Sequence, residues 1–243
     1  MELADRVVLV TGAAQRVGRA IAVRLAEAGC HVAIHYRTSA ESATATAERC
    51  QQAGVQAHTF AADFTETDQT IDLIPRVLDR FGRLDVLVNN ASTFEPMTID
   101  DFTPANWERT IRVNLTAPMT LAHAARASLR QARGRIVNLS DAATSRPWPA
   151  HLAYMVSKGA LDTLTRVLAR SFAPDVNVVG VAPGVAAWPD NYDEQTRDHL
   201  TTRIPLRRAG TPEDIAAAVH FILRDGDYIT GVILPIDGGR QLG

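Results

Sequence analysis

Tyr154 and Lys158 stand four residues apart at the start of an apolar stretch, Leu152 to Phe172, that reads as a long helix. Residues at that spacing share one helix face. A tyrosine ordinarily ionises near about pH 10, so it trades a proton at neutral pH only where a neighbour stabilises its anion. Lys158, one turn away, offers a charge for that purpose. The pair alone says little, because any helix can carry an exposed tyrosine and lysine so spaced. A second chemical pattern lies near the other end of the chain, where Thr11-Gly12-Ala13-Ala14-Gln15-Arg16-Val17-Gly18 follows the apolar run Val7–Val10 and opens a helix-like segment. A glycine turn feeding the free N–H groups and positive dipole end of a helix makes a pyrophosphate site. Arg16 stands where such a loop often has another glycine, and it offers a positive fork beside the phosphates.

The end of the second apolar run decides between two dinucleotides, because an NAD site usually places an acid there to hold the ribose 2'-hydroxyl. Here the segment is His35-Tyr36-Arg37-Thr38-Ser39, with no acid before Glu41. A carboxylate would repel a 2'-phosphate, whereas Arg37, Ser39 and Arg16 would bind one through charge-assisted hydrogen bonds. The pattern predicts NADPH rather than NADH. A plainer role for Arg37 and Ser39 is a solvated turn, with Ser39 capping the next helix.

These residues need a scaffold, and the rest of the chain supplies one. Seven runs read as strands: Val7–Val10, His31–Ile34, Val55–Ala61, Leu84–Val88, Arg135–Leu139, Val176–Val181 and Val232–Ile236. Their continuous hydrophobicity predicts strands buried on both faces, as in a parallel sheet. Helix-like segments alternate with them over Arg16–Ala28, Ala40–Ala53, Thr67–Phe81, Pro104–Arg112, Leu115–Arg130, Leu152–Phe172 and Pro212–Leu223. The alternation predicts βαβ units and a single doubly wound α/β domain over residues 1–243. Ala43–Ala47 reads as an Ala/Thr-rich helix surface. The weakly periodic stretch Gly184 to Arg208, with Trp188, Pro189 and Pro205, reads as a lid over the site or an ordinary surface excursion.

Composition narrows the partners. The 243 residues are 46% hydrophobic and 21% charged with a formal net charge of -2. That balance excludes disorder and leaves no basic excess for nucleic acid or an anionic membrane, so a small-molecule substrate is expected. Cys30 and Cys50 have no C-x-x-C partner and read as buried thiols of a reducing compartment. The start Met1 to Arg6 lacks the basic flank of a signal peptide, and the Val7–Val10 run is too short to span a bilayer, so a cytoplasmic location is expected. Seven scattered histidines show no paired ligand spacing, and no metal is expected.

Taken with the phosphate loop, Tyr154 and Lys158 are joined by Asn89-Asn90-Ala91 after the fourth strand, Asn114 opening a helix, and Pro183-Gly184 after the sixth. This set resembles the short-chain dehydrogenase/reductase family over essentially the whole chain. Most members carry a serine three residues beyond the asparagine of the fifth strand; here Asn138-Leu139-Ser140-Asp141 puts an aspartate there. Arg16, the Ser92 and Phe94 that follow Ala91, Asp141, His35-Tyr36 and Lys158-Gly159-Ala160-Leu161 together look like the pteridine reductase branch, including the bacterial dihydromonapterin reductases.

The resemblance implies a role for each position. A flat pterin would lie between the nicotinamide and Phe94, with Ser92 on its nitrogen edge. Asp141 and Tyr154 would deliver a proton to a ring nitrogen, while Lys158 holds the nicotinamide ribose and biases Tyr154. Asn114 would brace Lys158 through water, Asp63 would lie by the adenine, and Gly12, Val17, Gly18, His35, Tyr36, Asn90, Ala91, Pro183 and Gly184 would line the cofactor. The plainer alternatives are core packing for Phe94, a turn cap for Asp141 and a helix cap for Asn114. Trp148 and Trp188 fall in loops expected to flank the substrate. The function so implied is NADPH-dependent reduction of pterins, dihydro or oxidised, and of folates. Its rivals are a general carbonyl or 3-oxoacyl-carrier reductase and a catalytically silent NADPH-binding regulator. A homotetramer built on the helices from Leu115 and Leu152 is expected from the family.

Overall fold

The aliphatic runs pair into one sheet, as seen in a computed structural model that describes residues 1–186 and 193–242. The strands are β1 (Val7–Val10), β2 (His31–Tyr36), β3 (Ala57–Ala61), β4 (Val86–Asn89), β5 (Arg135–Leu139), β6 (Asn177–Pro183) and β7 (Ile233–Ile236), all parallel, in the order β3-β2-β1-β4-β5-β6-β7. Successive side chains point to opposite faces. Val8 and Val10 enter one core layer with Ile21, Leu25 and Val219, while Val7 and Leu9 enter the other with Leu73, Leu121 and Phe172.

Two helical layers cover these faces. On one lie α1 (Arg16–Glu27), α2 (Ala40–Gln51) and α8 (Pro212–Asp225); on the other lie α3 (Thr67–Phe81), α5 (Ala117–Ala132) and α6 (Leu152–Phe172). The expected single Rossmann-type domain and its strand-helix alternation are what the chain forms. Burial on both faces holds for β1, β4 and β5, but not at the edges. Edge strand β3 exposes Thr59 and Ala61, and β7 is only partly covered, because an edge has a neighbour on one side alone. Cys30 and Cys50 are free and buried, and burial pushes both thiols up to about 12.

Two helix expectations need correction. Ala43–Ala47 is not simply a helix surface: Ala43, Thr46 and Ala47 form the buried face of α2. Asn114 does not open a helix. It lies buried in a π-helical turn, Arg112–Thr116, that joins α4 (Pro104–Ile111) directly to α5. Within the weakly periodic stretch, the described part contains α7 (Glu194–Thr201), whereas Trp188 and Pro189 lie outside the described residues. No helix among the described residues is long and apolar enough to cross a membrane.

Candidate active site

Strand order reverses between β1 and β4, and a cleft at the strands' C-terminal ends opens where a doubly wound sheet binds ligands. Its volume is about 950 Å³. Gly12 starts the phosphate loop at φ +63°, in the left-handed region, and a Cβ there would lie 2.9 Å from Ala91 Cα. Gly18 has no such twist but even less room, since its Cβ would meet the Gly12 oxygen at 2.3 Å and Asn90 Nδ2 at 2.5 Å. Both glycines are therefore required by contact with the β4 turn. Arg16 itself adopts φ +51°, which accounts for the glycine common at this point of such loops.

Polar side chains lock this loop. Thr11 Oγ1 accepts from the N–H groups of Asn90 (2.9 Å) and Ala91 (3.0 Å), and Asn90 Nδ2 donates to the oxygens of Thr11 and Gly12. Thr46, from the buried face of α2, donates to Ala14 O at 3.1 Å. Gln15 stands at the N-cap of α1 without capping it, its amide turned to Ser42. The first N–H groups of α1 lack intrahelical acceptors, and their residues line the cleft. An uncapped positive helix end bordered by exposed Arg16 and Arg37 fits a phosphorylated dinucleotide.

His35 lines the same end of the cleft but works through the loop. Its Nδ1 accepts from Gly12 N–H at 3.0 Å, its Nε2 donates to Ala62 O at 3.0 Å, and its ring stacks on Phe64 at 4.2 Å. Both ring nitrogens are thus committed to backbone, and burial lowers the imidazole from 6.5 to about 4. Tyr36, Ser39, Asp63, Pro183 and Gly184 also line the cleft. Ser39 stands at the N-cap of α2, yet its hydroxyl makes no capping bond, so the helix-cap alternative fails. Burial pushes Asp63 up, but hydrogen bonds from Thr65 and the nearby Arg37 more than offset this and lower it.

At the other end the candidate catalytic groups converge. Tyr154 donates to Asp141 Oδ2 at 2.7 Å, and Asp141 Oδ1 accepts from Ala143 N–H at 2.7 Å. Asp141 therefore does cap the short 3-10 turn Ala142–Ser145, and the same carboxylate also faces Tyr154. Lys158 Nζ donates to Leu139 O at 2.7 Å, with the ammonium 5.7 Å from the Tyr154 ring centre. Burial lowers Lys158 to about 8, against the pull of Asp141 and Asp162. Tyr154 is raised well above its usual range, by burial first and then by the Asp141 charge. Lys158, expected to ease Tyr154 toward its anion, turns its ammonium to Leu139 O, while the phenol donates to Asp141.

Asn114, expected to brace Lys158 through water, has its side-chain amide bonded to protein. Its Oδ1 accepts from Thr93 N–H (2.8 Å) and Ser92 Oγ (3.2 Å), and its Nδ2 donates to Thr93 O and Ser157 Oγ, both at 3.0 Å. These bonds strap the Ser92–Thr93 segment to α6. Phe94, 44% exposed, is not core. One face stacks on His151 at 4.1 Å, and the rings of Tyr154 and Trp148 meet Phe94 edge-on.

Several contributors went unread in the sequence. Ser157 and Thr46 sit at unremarkable helix positions, and buried Asp162 binds Ser140 and Thr144, bracing both flanks of Asp141. Only the spacing of Ser157 and Asp162 from Tyr154 on one helix hinted at them.

A family model described as Enoyl-(Acyl carrier protein) reductase matches residues 12–241, from the phosphate loop through α6 to beyond the last strand. The chain belongs to the short-chain dehydrogenase/reductase family. This oxidoreductase is 35% identical over 239 residues to 3-oxoacyl-(acyl-carrier-protein) reductase FabG of Staphylococcus aureus, covering 96% of this chain and 97% of that protein. It is 31% identical over 250 residues to glucose 1-dehydrogenase 2 of Bacillus subtilis, covering 99% and 96%. Among solved structures, a blue fluorescent protein from a metagenomic library in complex with NADPH superposes with a TM-score of 0.93 at 32% identity, covering 99% of each chain. Acetoin dehydrogenase YohF of Salmonella typhimurium superposes with a TM-score of 0.90 at 30% identity, covering 98% of this chain and 97% of that one.

Proposed function

We propose that this oxidoreductase reduces the C=N bond of a pterin with NADPH, and the observation that carries the reading is the Tyr154–Asp141 hydrogen bond. A carbonyl oxygen needs only a hydrogen-bond donor and a proton from tyrosine. A ring nitrogen is served by a donor that can be re-protonated in place, and Asp141, which accepts from Tyr154 and stands where most relatives in the family carry serine, can pass a proton from solvent to the phenol. Bound NADPH supplies the hydride. Arg16, Arg37 and Ser39 hold its 2'-phosphate, and the free N–H groups of α1 hold its pyrophosphate. Phe94 offers its remaining face to the flat ring, and Ser92, steadied by Asn114, meets the nitrogen edge. Tyr154 keeps its proton until the acceptor nitrogen gains electron density, and half-buried Asp141 returns one from solvent.

The names of the relatives favour a second reading, a general carbonyl or 3-oxoacyl reductase. Initial rates with dihydrobiopterin, dihydromonapterin, dihydrofolate and an acetoacetyl thioester separate the two, measured in the wild type, Asp141→Asn and Asp141→Ser. Pterin turnover is expected to exceed thioester turnover, and Asp141→Asn to lower pterin kcat by roughly two to four orders of magnitude. A thioester preference, or near-full pterin turnover in Asp141→Asn, would refute the pterin assignment. Exposed Met119 of α5 and Val156 and Val167 of α6 supply the apolar surface for the proposed homotetramer.

A further inference from the structure

A second cavity of about 720 Å³ adjoins the catalytic cleft, and Asp141, Trp148, Arg203 and Arg240 line both. Arg146 and Arg207 line the second cavity as well. Four arginines from three separate segments thus line one space, and Asp141 is the single acidic residue among its described lining residues. Arg203 and Arg240 make no ion pair with a carboxylate among the described residues; Arg240 instead lies over the Trp148 ring at 5.3 Å. Arg207 is held by the carbonyl of Thr202. Arg203 and Arg207 are exposed and Arg240 is half-buried, so the mouth of this cavity carries an excess of positive charge beside the candidate reacting centre, which favours an anion there.

We infer that this second cavity is a subsite for an anionic tail of the substrate, a carboxylate or phosphate group carried on the far side of the ring that reacts at Tyr154 and Asp141. The identity of the ring rests on the pterin reading above; the charge of the tail does not. Because Arg203 and Arg240 line both spaces, a ring seated beside Phe94 projects a substituent past Trp148 into the arginines. Each lost charge-assisted contact should weaken the tail about ten- to a hundredfold.

The test uses the NADP+-saturated protein, so that phosphate probes cannot occupy the dinucleotide site. Calorimetric titration with p-aminobenzoylglutamate presents a carboxylate tail without a pterin ring, and titration with tripolyphosphate presents a phosphate tail. The inference expects one of them to bind the wild type, to weaken at least tenfold in Arg203→Gln/Arg240→Gln, and to recover in Arg203→Lys/Arg240→Lys. Whichever probe binds identifies the tail chemistry. In parallel, the ratio of kcat/KM for dihydrofolate to that for dihydrobiopterin should fall in the glutamine variant if the tail is a carboxylate. Arginine-dependent probe binding without any pterin turnover would keep the subsite and overturn the ring assignment. Pterin turnover with neither probe bound, or with binding indifferent to both substitutions, would overturn the subsite and leave the ring assignment standing.

Discussion

Replacing His35 with asparagine should flatten the acid limb of the protein's stability. The wild-type ring is neutral in the fold, with Nδ1 accepting from Gly12 N–H and Nε2 donating to Ala62 O. Protonation would put a second donor against the Gly12 N–H inside a buried pocket. The folded imidazole titrates at about 4, against 6.5 in the unfolded chain. A depressed folded value means the unfolded chain takes up the proton first, so the stabilisation is complete above about 6.5 and is lost as pH falls toward 4. At about 1.4 kcal/mol per pKa unit, the full loss is about 3 kcal/mol. Asparagine retains an acceptor for Gly12 without titrating. Urea unfolding of both proteins at about pH 7 and about pH 4.5 should show the wild type losing about 2.5 kcal/mol more than the variant. Parallel losses, or a His35 ring proton titrating near 6.5 by NMR, would show that the ring is not the neutral clamp described here.

The remaining expectations are simpler. Arg37→Ala should weaken NADPH by about 1.5 to 3 kcal/mol and leave NADH little changed, read from kcat/KM with each cofactor. Phe94→Ala should raise KM for the pterin far more than for NADPH, with little change in melting temperature because the ring is nearly half exposed. Gly18→Ala puts a methyl 2.3 Å from the Gly12 oxygen, so it should cost about 1 to 3 kcal/mol of stability and also impair NADPH binding, followed by thermal melts with and without NADPH.

Much of this was legible in the chain because it is local. The glycines of the phosphate loop, the i, i+4 pair Tyr154 and Lys158, and the strand-length aliphatic runs each carry their own physical signature within a few residues. Asp141 beside Tyr154 was legible through the resemblance. What escaped depends on groups brought together from distant segments. His35 clamps a loop more than twenty positions away, Thr46 supports Ala14 from the next helix, and the four arginines of the second cavity lie at 146, 203, 207 and 240. The partners of Tyr154 and Lys158 were hidden for another reason. Spacing reports that Lys158 is near, but not that its ammonium is turned to Leu139 O while the phenol faces a carboxylate.

The π turn at Arg112–Thr116 gives the chain a phase slip. One residue more than an α-helix needs is wound into that turn, so α4 and α5 run on as one rod whose two halves are offset by about 100° in facing direction. Removing one residue there would let the rod close into regular α-helix with every backbone bond made, and Asn114 would swing about a quarter turn away from Ser157 and Thr93. Elsewhere in α5 a deletion would misalign the core and be felt as instability. At this turn it could be absorbed by the fold and felt chiefly at the strap that carries Ser92, so chain length at this one turn sets where the Ser92–Thr93 segment is held.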